Sequence, residues 1–210
     1  MAIIIDLESV AIDNAAAYIK PAGNLKDPEK IKASIMERAE KASLNPWLCR
    51  IIALGWCDEG EDVERVETCA SEAGESATLE EFWGRVWDRN TGAVQPLLTF
   101  NGTNFDLPVL VARSMLLSVP HPALVIDRYR SPHIDLLQRL SWNDPSKAHS
   151  LMFYCSRFGI ATDDAFTGAL IAQLHADGDW ESIRKHCASD VRLCRLLAER
   201  IGVLKGRVRV

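Results

Sequence analysis

Two acidic residues, Asp6 and Glu8, stand at the end of the most hydrophobic strand that the sequence predicts, over residues 2–7. Residues two apart on a strand point to the same face, so both carboxylates project together while Leu7 turns into the core. Like charges this close repel each other unless a cation neutralises them, and hard oxygen ligands suit Mg²⁺ or Mn²⁺. The pattern therefore indicates a metal site. The alternative is that two surface acids simply end a strand.

A third acidic residue, Asp106, follows a second predicted strand, over residues 96–100. That strand runs into a tight Asn-Gly turn, and a helix is predicted over 105–117 with Asn104 as its cap. Asp106 then lies in the first turn of the helix, beside the end of the strand. The alternative function for this residue is to complement the helix dipole.

A histidine and a fourth acidic residue, His186 and Asp190, are four residues apart in a helix predicted over 179–201. This spacing places the two side chains on one face of the helix. A histidine near a carboxylate can accept or orient a water proton near neutral pH. The alternative is an ordinary His–Asp pair on the protein surface.

The elements that must position these residues begin with strands and end with helices. Period-two and β-branched patterns predict strands at residues 2–7, 48–57, 63–68 and 96–100, with a loop over 9–26. Caps and helical periodicity predict helices at residues 28–42, 78–88, 105–117, 134–140, 149–158, 164–177 and 179–201. This order favours an α/β fold, in which one mixed sheet has helices on both faces within a single domain.

The composition is that of a globular protein, with 210 residues, of which 48% are hydrophobic and 25% are charged, and this excludes a disordered or fibrous chain. The six cysteines form no Cys-x-x-Cys pair and have no zinc-finger spacing, so we expect reduced core thiols in a cytosolic protein. The N-terminal apolar run lacks a basic region and stops at Asp6, so no signal peptide is expected. No apolar stretch approaches the ~20 residues of a membrane helix.

Taken together, the acidic elements resemble the motifs of the DEDD-type 3′–5′ exonucleases of the ribonuclease H-like (DnaQ-like) superfamily. The similarity is greatest to the proofreading exonuclease domain of family-B DNA polymerases and its stand-alone phage and bacterial relatives. It rests on Ile5-Asp6-Leu7-Glu8-Ser9, on Asn101 through Pro108 and on His186 through Val191, with further similarity at residues 42–46, 49–55 and 158–160 and at Gly168. The resemblance implies a ribonuclease H-like mixed five-stranded sheet, flanked by helices on both faces, in one domain over residues 1–210.

The chemistry implied by this resemblance is two-metal-ion hydrolysis of phosphodiester bonds, which releases nucleoside 5′-monophosphates from a 3′ end. Asp6, Glu8 and Asp190 would hold one divalent ion, Mg²⁺ or Mn²⁺. Asp6 and Asp106 would hold the other, and His186 would orient or deprotonate the attacking water. The residues implied to contact the substrate are Asn101, Phe105, Ser9 and Ile12.

One position departs from the family pattern. Tyrosine-type members have a tyrosine four residues before the last Asp, and histidine-type members have a histidine five residues before it. Here His186 is four residues before Asp190, and Lys185 is five before it. We predict that His186 orients the water, with Lys185 as the alternative.

The expected substrate is a single-stranded or frayed 3′ end of DNA, in the cytosol of a bacterium or a phage-infected cell. The alternatives are trimming of RNA 3′ ends and a non-catalytic nucleic-acid-binding module on the same fold. No membrane partner is expected, and the sequence leaves protein partners unknown.

The net charge of −5 is unevenly distributed along the chain. Residues 58–81 carry ten acidic residues and one basic residue, whereas residues 181–210 carry eight basic and three acidic residues. We interpret the basic segment, which includes Lys205, Arg207 and Arg209, as the region that faces the phosphate backbone. The alternative is that both segments are simply solvated faces.

Overall fold

A five-stranded sheet forms the centre of the computed structural model, which describes residues 1–127, 130–162 and 170–204. Its strands are β1 (Ile3–Ala11), β2 (Cys49–Asp58), β3 (Arg65–Thr68), β4 (Leu97–Thr99) and β5 (Ile134–Asp135), in the spatial order β3-β2-β1-β4-β5. β2 is antiparallel to both β1 and β3, whereas β4 is parallel to both β1 and β5. This mixed sheet, with helices on both faces, confirms the α/β fold predicted from the sequence.

The helices of the described residues are α1 (Pro28–Glu40), α2 (Glu72–Val86), α3 (Asp106–Leu116), α4 (Leu136–Leu140), α5 (Leu151–Arg157), α6 (Ile171–Asp177) and α7 (Trp180–Arg200). The predicted start of α1 is confirmed, because the Asp27 carboxylate accepts a hydrogen bond from the Glu29 backbone N–H at 3.0 Å. α2 begins earlier than the predicted residue 78, since Ser71 caps it by accepting from the Gly74 N–H at 3.2 Å.

Alternate residues of β1 pack into separate cores on the two faces of the sheet. Ile3 and Ile5 pack with residues of α2 and α3, whereas Ile4 packs with residues of α5 and α7. All three isoleucines are fully buried, and such burial stabilises the fold by roughly 1.5–3 kcal/mol per side chain. Because strand side chains alternate, the same register carries Asp6 and Glu8 to the face that α7 covers.

Two stretches of strand were wrongly predicted as loop and as helix. β1 continues to Ala11, because its pairing with β2 persists beyond a register shift between Glu8 and Ser9. The helix predicted over 134–140 begins instead at Leu136, after the two-residue strand β5. A strand this short shows no alternation that a sequence pattern could reveal.

The cysteines are all free and buried, which confirms the prediction of reduced core thiols. Burial raises the pKa of the Cys49 and Cys155 thiols to about 11, so these groups stay protonated at neutral pH. Among the described helices, none combines the length and the apolar character that crossing a membrane requires. The helix predicted over 164–177 is described from Leu170 onward, and Gly168 lies outside the described residues.

Candidate active site

A cavity of about 250 Å³ opens where β1 and β4 diverge. These strands pair only at the start of β1, so the chain after β4 turns away and leaves the later residues of β1 facing an open crevice. Eight of the predicted site residues line this cavity: Asp6, Glu8, Ser9, Asn101, Phe105, Asp106, His186 and Asp190. Ile12 lies beyond the end of β1 and does not line the cavity.

The two β1 carboxylates share the floor of this cavity. Glu8 is only 9% exposed, and the register shift that follows it lets the strand bend beside the cavity. Burial raises the pKa of Asp6 well above its usual value, and the charges of Asp190, Glu8 and Asp106 raise it further. Four carboxylates therefore converge at a distance at which they repel one another.

Asp106 reaches the same point from the first turn of α3 and is 4% exposed. Burial raises its pKa to about 7, and the charges of Asp135 and Asp190 act in the same direction. The backbone amides of Asp106 and Leu7 favour the ionised form and oppose this shift. A carboxyl group with this pKa is only partly ionised at neutral pH unless a cation is bound nearby.

His186 and Asp190 project from α7, which lies close against the sheet. A Cβ at Gly55 of β2 would lie 2.9 Å from Cys187 Sγ, so only a glycine permits this approach opposite Asp6. His186 is 5% exposed, and its Nε2 lies 3.5 Å from Glu8 Oε1 and 3.9 Å from Asp190 Oδ2. Ligand atoms of these three side chains all lie within 4.8 Å of one another, an arrangement that could hold a metal ion.

Lys185, the alternative to His186, lies on the exposed side of α7. Its Nζ lies 3.3 Å from Glu181 Oε1, and both side chains are about two-thirds or more exposed. The cavity lining includes His186 and not Lys185.

The loop after β4 is held in place by Asp135 of β5. One oxygen of this carboxylate, Oδ1, accepts from the Asn101 N–H at 3.0 Å, and the other, Oδ2, accepts from the Thr103 N–H at 3.0 Å. Asn101 adopts a left-handed backbone with φ 66°, and a Cβ at Gly102 would lie 2.3 Å from Thr99 Cβ. The tight turn therefore depends on a glycine and on a buried carboxylate from the neighbouring strand.

The prediction that Asn104 caps α3 is wrong, because this loop uses the side chain differently. The Asn104 amide donates to Asn101 Oδ1 at 2.8 Å, and Phe105 directly precedes the helix without a side-chain cap. The backbone N–H of Leu107 is satisfied by the Gly102 carbonyl at 2.9 Å instead. Asn104 thus braces the loop rather than the helix.

Replacing Asp135 with Asn is expected to lower kcat of the exonuclease reaction that the resemblance implies about tenfold, while the protein remains folded. An amide offers one oxygen, so one loop N–H loses its acceptor, at a cost of about 1–3 kcal/mol. Steady-state kinetics together with thermal melts measure both effects. Asp27→Asn, at the cap of α1 and away from the cavity, is the control and should leave kcat unchanged. Equal kcat values for the two variants would contradict a positioning role for Asp135.

Several residues that line the cavity were not predicted from the sequence as site residues, namely Ser43, Leu44, Phe100 and Ile171. Ser43 lies against β1, where its carbonyl accepts from the Ser9 hydroxyl at 2.8 Å. Similarity to the exonuclease family at residues 42–46 was the available signal for the first two. Nothing in the pattern of α6 distinguishes Ile171 from an ordinary core residue.

The interpretation of the basic C-terminal segment changes with the structure. Arg195 is buried and lies 3.2 Å from Asp62, 3.7 Å from Glu64 and 3.2 Å from Glu199. Arg184 donates to the Val66 carbonyl on β3. These two bases join α7 to the acidic segment and stabilise the fold instead of facing a phosphate backbone, while Lys205, Arg207 and Arg209 lie outside the described residues.

A mixed five-stranded sheet with helices on both faces and buried acidic side chains at one edge has the architecture of the ribonuclease H-like exonucleases. The chain belongs to a family described as predicted 3′–5′ exonucleases related to the exonuclease domain of PolB, which matches residues 43–209. A search among curated proteins finds no match. The family match confirms the resemblance and covers Asp106, His186 and Asp190, whereas Asp6 and Glu8 precede it.

Proposed function

We propose that this protein is a metal-dependent 3′–5′ exonuclease that acts on single-stranded or frayed DNA ends, and that residues 1–210 form one exonuclease domain. The observation that supports this most strongly is the convergence of four carboxylates from β1, α3 and α7 with one histidine at a single cavity. Burial raises the pKa of Asp6 and Asp106, so a bound cation would relieve an unfavourable concentration of negative charge.

The donor set fits hard divalent cations, Mg²⁺ or Mn²⁺, which prefer carboxylate oxygens. Asp6, Glu8 and Asp190 would hold one ion, and Asp6 and Asp106 the other. Such ions, when bound, stabilise negative charge on the phosphoryl oxygens and lower the pKa of water.

The chain's own side chains would position the reactants around these ions. His186 Nε2, which lies 3.5 Å from Glu8 Oε1 and 3.9 Å from Asp190 Oδ2, would orient the attacking water or accept its proton. Asn101 would bind the substrate backbone, since its loop is fixed by Asp135. Ser9 and Phe105 line the remaining wall, and the product would be a nucleoside 5′-monophosphate.

Digestion of end-labelled oligonucleotides tests this function directly. Single-stranded DNA, duplex DNA and RNA, each labelled at the 3′ or the 5′ end, are incubated with Mg²⁺, Mn²⁺ or EDTA. We expect loss of mononucleotides from the 3′ end of DNA, fastest on single strands and absent in EDTA. Shortening from the 5′ end, or digestion in EDTA, would refute the proposal, and faster digestion of RNA would make the substrate RNA.

His186→Ala is expected to reduce kcat by about 10²-fold or more, the usual contribution of a positioned acid or base. His186→Tyr should retain more activity, because the tyrosine-type exonucleases that the sequence resembles have tyrosine at this position. Lys185→Ala serves as the matched control, since this neighbouring side chain is exposed and paired with Glu181. Single-turnover rates on a labelled oligonucleotide measure all three, and a larger loss in Lys185→Ala would reverse the assignment.

We also propose that the protein works in the cytosol of a bacterium or a phage-infected cell. The six buried free thiols support this, because such a set of cysteines is usual in a reducing compartment.

A further inference from the structure

A second cavity, of about 410 Å³, opens next to the catalytic one, and Asn101 lines both. Its volume lies within the range of about 300–1,000 Å³ that is typical of small-molecule sites. Its walls come from the loop after β4, from α4 and from the chain that follows α4. The proposed function assigns nothing to this space.

Among the described residues that line this second cavity, none has a charged side chain. Its polar groups are amides and hydroxyls, from Asn101, Thr103 and Gln138, and its apolar surface includes Ile126 and Leu137. A phosphate group is best bound by cationic donors, and the described part of this lining provides none. Amides above an apolar wall suit a nucleobase, because an amide can donate to and accept from the base edge while the ring packs on apolar surface.

Hydrogen-bonding capacity in this cavity is available to a ligand. Within the described part of the chain, the side chains of Thr103 and Gln138 form no hydrogen bond, although both residues are half-buried. Asn104 engages only the Oδ1 atom of Asn101, at 2.8 Å. A base edge could therefore form hydrogen bonds with these side chains without displacing a hydrogen bond among the described residues.

We propose that this cavity binds one unpaired nucleobase of the substrate strand, while the strand's backbone passes Asn101 into the catalytic cavity. This inference rests on the proposed exonuclease function and specifies how the substrate is selected. Asp135 holds the loop at Asn101 and Thr103, and Asn101 lines both cavities, so the same hydrogen bonds position this loop toward both. A base enters the cavity only after it unpairs, and the site therefore selects single-stranded or frayed 3′ ends.

Two substitutions test the cavity without touching the carboxylates. Ala148→Trp fills the space, and Gln138→Ala removes an amide while keeping a helix-forming residue in α4. We expect each to raise KM for a single-stranded oligonucleotide, about tenfold for Ala148→Trp, with kcat little changed. Hydrolysis of the p-nitrophenyl ester of thymidine 5′-monophosphate, which has no neighbouring base, should be unaffected. Gln173→Ala, an exposed glutamine on α6 outside this cavity, is the matched control.

Abasic substrates identify the base that occupies the cavity. In the unsubstituted protein, one abasic nucleotide among the first few from the 3′ end should raise KM about tenfold, and in Ala148→Trp it should add nothing further. Unchanged KM at every abasic position, or a folded Ala148→Trp variant with unaltered KM, would overturn the proposal. If thermal melts show that Ala148→Trp is unfolded, the Gln138→Ala result decides.

Failure of the nuclease function is distinguishable from failure of the base site. If neither the oligonucleotide nor the p-nitrophenyl ester is hydrolysed with Mg²⁺ or Mn²⁺, the exonuclease function is wrong. The base site is then tested by fluorescence anisotropy of labelled single-stranded oligonucleotides. A tenfold weaker Kd for the abasic strand, lost in Gln138→Ala, supports the site, and equal binding of the two strands overturns it.

Discussion

Asp106→Asn is expected to abolish Mg²⁺-dependent nuclease activity, by about 10³-fold or more, and at the same time to stabilise the metal-free protein. Activity falls because the amide loses a charge that would hold a divalent ion. Stability rises because Asp106 is 4% exposed and its ionisation is opposed by burial and by the neighbouring charges of Asp135 and Asp190. Asp6→Asn should behave in the same way, since burial and three nearby carboxylates raise its pKa.

The sign of the stability change depends on pH. The pKa of Asp106 is about 7 in the folded protein, against its usual value of 3.8, so the folded state binds this proton more tightly than the unfolded state does. The contribution of Asp106 to the stability of the metal-free protein is therefore fully present below about pH 4, and this contribution is lost as the pH rises through 7. The Asn variant avoids this loss, and its gain in EDTA should be clear at pH 8 and absent near pH 4.

Thermal melts in EDTA at pH 4, 6 and 8 measure this effect, and a gain of about 2 °C or more at pH 8 is expected. Asp88→Asn is the control of opposite sign, because hydrogen bonds from Thr91 and from backbone amides lower the pKa of Asp88. That exposed turn residue should lose stability on substitution, and nuclease activity should not change. A destabilised Asp106→Asn variant at pH 8 would contradict a raised pKa of Asp106 in the folded protein.

The positions of the acidic residues were predictable because each follows from a local rule. Period-two alternation places Asp6 and Glu8 on one face, and a spacing of four residues places His186 and Asp190 together on a helix. Their convergence in one cavity was predictable only from the resemblance, since neither rule relates β1 to α7. The physical link is Gly55 on β2, whose missing side chain lets α7 approach the sheet.

Long-range contacts account for what the sequence did not predict. In the sequence, Asp135 has the pattern of an ordinary helix cap, and its carboxylate does accept from the Leu137 N–H at 3.0 Å. The same carboxylate also accepts from the Asn101 N–H and so holds the loop after β4. From the sequence, Arg195 is one basic residue in a positively charged segment. In the structure, three acidic side chains lie close to its guanidinium group. Asn101, Asp62 and Glu64 are remote in sequence from these two residues, so composition and periodicity carry no information about those contacts. Only the Arg195–Glu199 pair follows from the helical spacing of four residues.

A buried ion pair between Glu75 and Arg113 lies behind the cavity. Of the substitutions predicted for this protein, we expect loss of this pair to lower the free energy of unfolding most. Glu75 on α2 is fully buried, and its carboxylate accepts from Arg113 Nε at 2.7 Å, from Arg113 Nη2 at 2.9 Å and from the Ile51 N–H at 2.9 Å. These bonds join α2, α3 and β2. α3 carries Asp106 and β2 pairs with β1, so this pair supports two elements of the site.

Glu75→Gln is expected to lower the free energy of unfolding by about 3–5 kcal/mol, because it leaves the buried Arg113 guanidinium without a compensating charge. Urea unfolding followed by circular dichroism measures this value. The double variant Glu75→Leu with Arg113→Met should recover much of the loss, since no buried charge then remains unpaired. Glu37→Gln is the matched control, because Glu37 and Lys41 form a pair 4.0 Å apart that is mostly exposed. Exposed pairs of this kind contribute little, so a comparable loss in the control would show that burial does not determine the effect.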